Sequence, residues 1–268
     1  MSSSTIQVTN SNELSVPSST SRLLLQMARR DISTLFRTPW IIISRSLAFI
    51  IQLFVFAYLI SGLVVSFPDY FRYYAVGAVV STVASISFII GYDIFEEAEE
   101  GLLDYLLTLP IPRREFIIGR ALGGAVRAMI YTIPMFVIVV VVENFANPFA
   151  LLAAVLDLFL IAFGVTGLSI TVAVSVRSAN RFDVVLALLE LAVTRASTAL
   201  YPFFALPSYV QILAPFSPVS FAADSARQAL VHSGLDILGL AGLATFVIIF
   251  LGLGATFYFR RLEGGVYA

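Results

Sequence analysis

The chain contains no cysteine, no lysine and only one histidine in 268 residues. Without cysteine there can be no disulfide, no thiolate nucleophile and no cysteine-held metal. With His232 as its one imidazole, it has too few ligands for a histidine-based metal or catalytic cluster. Without lysine it cannot build a P-loop, whose lysine reaches the β- and γ-phosphates, so it does not hydrolyse ATP by that chemistry. All sixteen basic residues are arginine, which we read as a bias of composition and not as a site. Charge itself is scarce. Charged residues make up 12% and hydrophobic residues 59% of the chain, against about 25% and about 45–50% in soluble domains. That balance describes an all-α integral membrane protein. The net charge of −1 carries no sign of a nucleic-acid partner.

Residues 1–20 are rich in Ser, Thr and Asn, with no apolar core after a basic start, and read as a disordered tail and not a signal peptide. Residues 21–39 alternate an apolar stripe (Leu24, Met27, Ala28, Ile32, Leu35, Phe36) with Arg22, Arg29, Arg30 and Arg37, the pattern of a basic helix lying on a membrane surface. Spans of about 20 mostly apolar residues are then expected at residues 40–65, 73–92, 128–142, 149–176, 184–204 and 237–258, with Pro134 kinking the third. Residues 205–236, interrupted by Pro207, Pro215 and Pro218, are too broken to span simply and read as an external re-entrant or amphipathic segment. Six spans occupy residues 40–262, and residues 263–268 form a short tail.

Arginine placement orients the bundle, because basic residues are retained on the cytoplasmic side. Twelve arginines fall on the face that holds both termini, and two (Arg72 and Arg227) on the other. Both termini, the second-to-third connection and the fourth-to-fifth link are therefore expected in the cytoplasm.

The second-to-third connection, residues 94–127, is the one long charged stretch between strongly apolar blocks. It opens with Glu96, Glu97, Glu99 and Glu100 and closes with Arg113, Arg114, Arg120 and Arg127. Phe95, Ala98, Leu102, Leu106 and Leu109 recur at steps of three and four, so they share one face of a helix, with Glu96, Glu100 and Asp104 opposite. Pro110 and Pro112 stop that helix. An acid-faced amphipathic helix with membrane on both sides is shaped to dock a cytosolic partner.

The run Gly101-Leu102-Leu103-Asp104, Leu106-Leu107, Pro110, Arg113-Arg114-Glu115 and Gly119-Arg120 resembles the signature of ABC transporter type-2 permeases. A second stretch, Leu206-Pro207, Ala214-Pro215, Ser217-Pro218, Asp224 and Arg227, is similar to the external segment before that family's last span. The resemblance covers residues 20–262. It implies a permease subunit, an exporter in most of the family, paired with a second copy of itself or a homologous permease and with two separate ATPase subunits that hold ATP and Mg. This chain would bind no cofactor itself. Phe95, Glu96, Glu97, Glu100, Gly101, Leu103, Asp104, Leu106, Leu107, Pro110 and Arg113 would then form the coupling helix docked on the ATPase. Residues 21–39, with Arg29, Arg30, Phe36 and Arg37, would form the connecting helix that moves with it. Glu100 stands where the family often has a basic residue, so an unusually acidic docking face and a correspondingly basic partner are expected.

Asp157 in the fourth span, and Glu190 and Arg195 in the fifth, are ionisable groups at membrane depth, which are functional candidates by default. They either pair with each other or with neighbouring helices, or serve substrate passage or gating. For Asp157 a place near the outer interface is a further option. Asp224 and Arg227, three apart, are expected to form a helical ion pair of architectural use. The alternative function is an ion-gradient-driven secondary transporter using the intramembrane carboxylates. That class predicts repeated halves around a midplane site, and the chain has no convincing repeat.

Overall fold

The computed structural model describes residues 39–57, 59, 69–100, 113–176 and 178–264, and all regular structure among them is helical. Helix α1 is Pro39–Ile51, continued by a π-helical turn Gln52–Ala57. Helix α2 is Tyr70–Glu99, α3 is Arg113–Val142 and α4 is Pro148–Ser175. Helix α5, Ala179–Glu190, is extended by a π turn Leu191–Arg195. Short 3-10 turns at Phe203–Ala205 and Ala214–Phe216 flank α6, Ser208–Leu213. Helix α7 is Pro218–His232, and α8 is Ile237–Gly264.

Four of these helices (α2, α3, α4 and α8) are long and apolar enough to cross a membrane; the stretch Ile42–Phe56 is apolar but shorter. The expected boundaries shift at several points. The second span does not stop at Tyr92: α2 runs on through Phe95 to Glu99, so the first acidic residues of the central stretch are its last turn. The third helix starts at Arg113, fifteen residues before the expected span, and passes unbroken through Pro134. The fifth departs most. Helix ends at Arg195, and residues 197–202 leave the helical path instead of continuing to Phe204. Helices α4 and α8 coincide with the stretches expected at residues 149–176 and 237–258, α8 running on to Gly264. Residues 1–38 and 101–112, and with them the connecting helix and most of the expected coupling helix, lie outside the described residues.

Local chemistry explains the clean boundary before α4. Asn144 takes a left-handed backbone (φ 54°), a conformation asparagine tolerates. Asn147 then caps the helix, its side-chain oxygen accepting from the Phe149 amide at 3.1 Å, with Pro148 in the first turn.

In lipid, apolar side chains gain little by leaving one hydrocarbon environment for another, so helices associate through close packing and interhelical hydrogen bonds. Helix α4 is the hub and shows both devices. A Cβ on Gly164 or Gly167 would press into Phe246, Val247 or Leu251 of α8, so the absent side chains let the two helices meet closely. Thr171 donates to Gly167 O and also lies 3.3 Å from Phe250 O on α8. Towards α2, the Ser169 hydroxyl donates to Phe88 O at 2.7 Å, beside Gly91. Helix α2 is the most enclosed of the long helices, and α7 is packed against α2, α4 and α8.

Candidate functional site

Helices α2 and α3 run antiparallel, so the chain's charges gather at two ends of the bundle. At one end, Glu97 near the end of α2 pairs with Arg120 of α3 at 2.9 Å, and one turn earlier Asp93 pairs with Arg127. Arg120 is nearly enclosed. A buried guanidinium without a carboxylate would be strongly unfavourable, so Glu97 is committed to closing this helix pair. Phe95 points inward as well. Its ring stacks on Phe182 of α5 with centroids 4.3 Å apart and planes 4° from parallel, and Tyr92 meets Phe182 edge-on. Glu96, Glu99 and Glu100 remain exposed.

Of the residues expected to dock a partner, the structure thus brings Phe95 and Glu97 into internal contacts and leaves Glu96 and Glu100 facing out. Gly101, Leu103, Asp104, Leu106, Leu107 and Pro110 lie outside the described residues, as do Arg29, Arg30, Phe36 and Arg37. Arg113 opens α3, and its side chain is also outside the description.

At the opposite end Arg72 pairs with Glu143 at 2.6 Å, tying the start of α2 to the end of α3. Beside them is a denser cluster centred on Arg227 of α7. Its Nε donates to Tyr73 O at 3.1 Å, one Nη to Asp224 at 2.8 Å and the other to Ala199 O. The guanidinium also lies over the Tyr73 ring, 3.5 Å from its centroid. Burial pushes the Arg227 pKa down, while Tyr73 and Asp224 pull it back towards the charged form. Asp224 in turn accepts from Thr198 Oγ at 2.9 Å. The expected Asp224–Arg227 pair therefore exists, inside a larger network.

That network accounts for the early end of α5. The carbonyls of Thr198, Ala199 and Leu200 take their hydrogen bonds from Tyr73 Oη, Arg227 Nη and Tyr70 Oη. The Thr198 amide donates to Ser220 Oγ, and Ser217 Oγ donates to Val193 O. Donors from α2 and α7 replace the helix's own ladder, which satisfies the backbone where it leaves the helical path. Pro202, with no N–H, suits the exit. Gly77 permits the approach, since a Cβ there would overlap both the Ala199 carbonyl and Arg227.

Glu190 is half-buried and Arg195 exposed; they bracket the π turn, and no ion pair joins them among the described residues. Asp157 is enclosed by protein. It is 1% exposed inside α4 and accepts from Ser225 Oγ of α7 at 3.0 Å. Sequence reasoning missed Tyr70, Tyr73, Thr198, Ser225 and Gly77. Their types are ordinary for a membrane helix or its edge, and only the fold shows which carbonyls they serve. Among the described residues no group of three His, Asp or Glu is placed to hold a metal ion.

Long apolar helices, packed through glycines and hydroxyls and pinned by ion pairs at both ends, are the architecture of a membrane protein. Its chain matches the family model described as ABC-2 type transporter over residues 22–231, which is most of its length. The chain belongs to that family. It is also 24% identical over 226 residues to a protein of Porphyra purpurea named "Putative transport permease ycf38", a match covering 80% of this chain and 76% of that one.

Proposed function

We propose that this chain is the permease subunit of an ABC transporter, moving substrate outward with energy from ATP that a separate subunit hydrolyses. The observation that carries the reading is the family match over residues 22–231, which runs through the central charged stretch. In this reading α1 and α5 are the first and fifth of six spans, both termini are cytoplasmic, and the cell membrane is the site of action. The arginine asymmetry favours that orientation. A second copy of the chain, or a homologous permease, completes the pathway along the seam between subunits. The chain itself binds no nucleotide, and ATP with its Mg sits on the partner.

Residues 94–127 then form the coupling segment. Phe95 and Glu97 anchor its base to α5 and α3, while Glu96, Glu99 and Glu100 offer an acidic face to a basic ATPase surface. Apolar residues of the segment supply burial, and the exposed acids supply orientation and association rate. Closing of the ATPase moves the end of α2 with it.

Purification from the native membrane tests this reading. The wild-type chain should bring down a P-loop ATPase in equal amount. Replacing Glu96, Glu99 and Glu100 together with arginine should reduce that yield at least about ten-fold, an affinity loss of about 1.4 kcal/mol, with membrane insertion intact. Absence of any ATPase under gentle detergent would refute the function, and an unchanged yield from the triple variant would refute the docking face.

A further inference from the structure

The carboxyl group of Asp157 has one partner and one bare oxygen. Ser225 donates to Oδ1 at 3.0 Å, while Oδ2 is buried without a hydrogen bond. None of the ion pairs among the described residues includes Asp157. Helical spacing puts Ala154, Leu158 and Ile161 beside it on α4, and Ala222 and Ala226 beside Ser225 on α7; all five are buried and apolar. An ionised carboxylate there would leave charge on an oxygen to which no protein group among the described residues donates, which buried groups avoid by taking up a proton. A second carboxylate lies close to the same contact. Asp236 caps the first turn of α8 by accepting from the Gly239 amide at 3.0 Å, and its carboxylate borders Gly239 as Ser225 does, so it adds a like charge nearby.

Ser225 stands where three helices meet. It reaches Asp157 on α4, and its Cβ would lie 3.0 Å from a Cβ placed on Gly239 of α8. What happens at Asp157 is therefore felt at the seat of α7, the helix that carries Arg227.

We propose that Asp157 is a proton-binding site: its carboxyl carries an exchangeable proton, and that neutral acid, hydrogen-bonded to Ser225, pins α7 to α4. Asp157 is a positioning residue acting through α7. With the proton bound, α7 seats between α2, α4 and α8. Loss of the proton places a bare charge against apolar helices and beside Asp236, and loosens α7. The packed state holds a proton that the loosened state releases, so the packing is strongest at low pH and weakens as pH rises.

The test uses the full-length protein, purified with whatever partner accompanies it and reconstituted in lipid. Infrared spectra of wild type and Asp157→Asn should differ at neutral pH by the carbonyl stretch of one protonated carboxylic acid. Ser225→Ala should move that band to higher frequency, since it removes the hydrogen bond to Oδ1. Thermal unfolding of the wild type should fall by at least about 5 °C as pH is raised to the alkaline limit of stability. Asp157→Asn, neutral at every pH, should lack that part of the fall and unfold near the wild type at pH 7, whereas Asp157→Ala should unfold lower. Absence of the band at neutral pH, or an unfolding profile of Asp157→Asn parallel to the wild type, would overturn the proposal. If Asp157→Asn does not fold, the wild-type band and its response to Ser225→Ala decide.

Discussion

Gly77→Ala adds one methyl group to α2 at the point where the Ala199 carbonyl and the Arg227 guanidinium close on the helix. In an isolated helix the change would help, because alanine is favoured over glycine by about 1 kcal/mol. Here the methyl overlaps a backbone oxygen that cannot rotate away. Overpacking of this kind costs about 1–3 kcal/mol, and displacing Ala199 also weakens a charged hydrogen bond worth about 1.5–3 kcal/mol. Set against the helix gain, the expected net loss is about 3 kcal/mol, the middle of that range. For a chain of this size that is a fall in unfolding temperature of roughly 6–12 °C. Circular dichroism of the detergent-purified protein measures it. Gly252→Ala is the control, since a Cβ there meets nothing within 4 Å, and it should unfold at or slightly above the wild-type temperature. If Gly77→Ala unfolds as late as Gly252→Ala, the close contact between α2 and the 197–202 segment is wrong.

Three further substitutions test the ends of the bundle. Arg227→Lys keeps the charge but cannot bond three separate oxygens with one planar fork, and should lose about 2–4 kcal/mol of stability, read by thermal unfolding. Glu97→Arg and Arg120→Glu should each destabilise, and the double variant should recover most of the loss, with a coupling of about 1–3 kcal/mol in a double-mutant cycle; additive losses would deny the pair.

The sequence was most informative where a structural signal is local. Asn147 followed by Pro148 and a long apolar run announces the start of α4, and that helix begins there. The early end of α5 was hidden for the opposite reason. Residues 184–204 are apolar enough to read as one helix, and the donors that draw the chain off its path come from Tyr70, Tyr73 and Arg227, more than a hundred residues before or nearly thirty after. At the central stretch, the density of charge suggested a connection, yet Arg120 and Arg127 are interior to α3 because Glu97 and Asp93 sit opposite them. Helical periodicity places Phe95 on an apolar face, but it cannot say whether that side chain meets another protein or, as here, the Phe182 ring.

The departure of the chain from α5 also bears on biogenesis. The carbonyl of Ala199 receives its donor from a residue synthesised 28 positions later. A nascent chain that has delivered α5 but not α7 to the membrane holds a bare backbone oxygen in a setting where hydrocarbon offers no replacement. The 197–202 segment must therefore stay near water, or under an insertion factor, until α7 arrives. This region therefore sets last, and variants that weaken Arg227 would prolong the interval in which the Ala199 carbonyl lacks its donor.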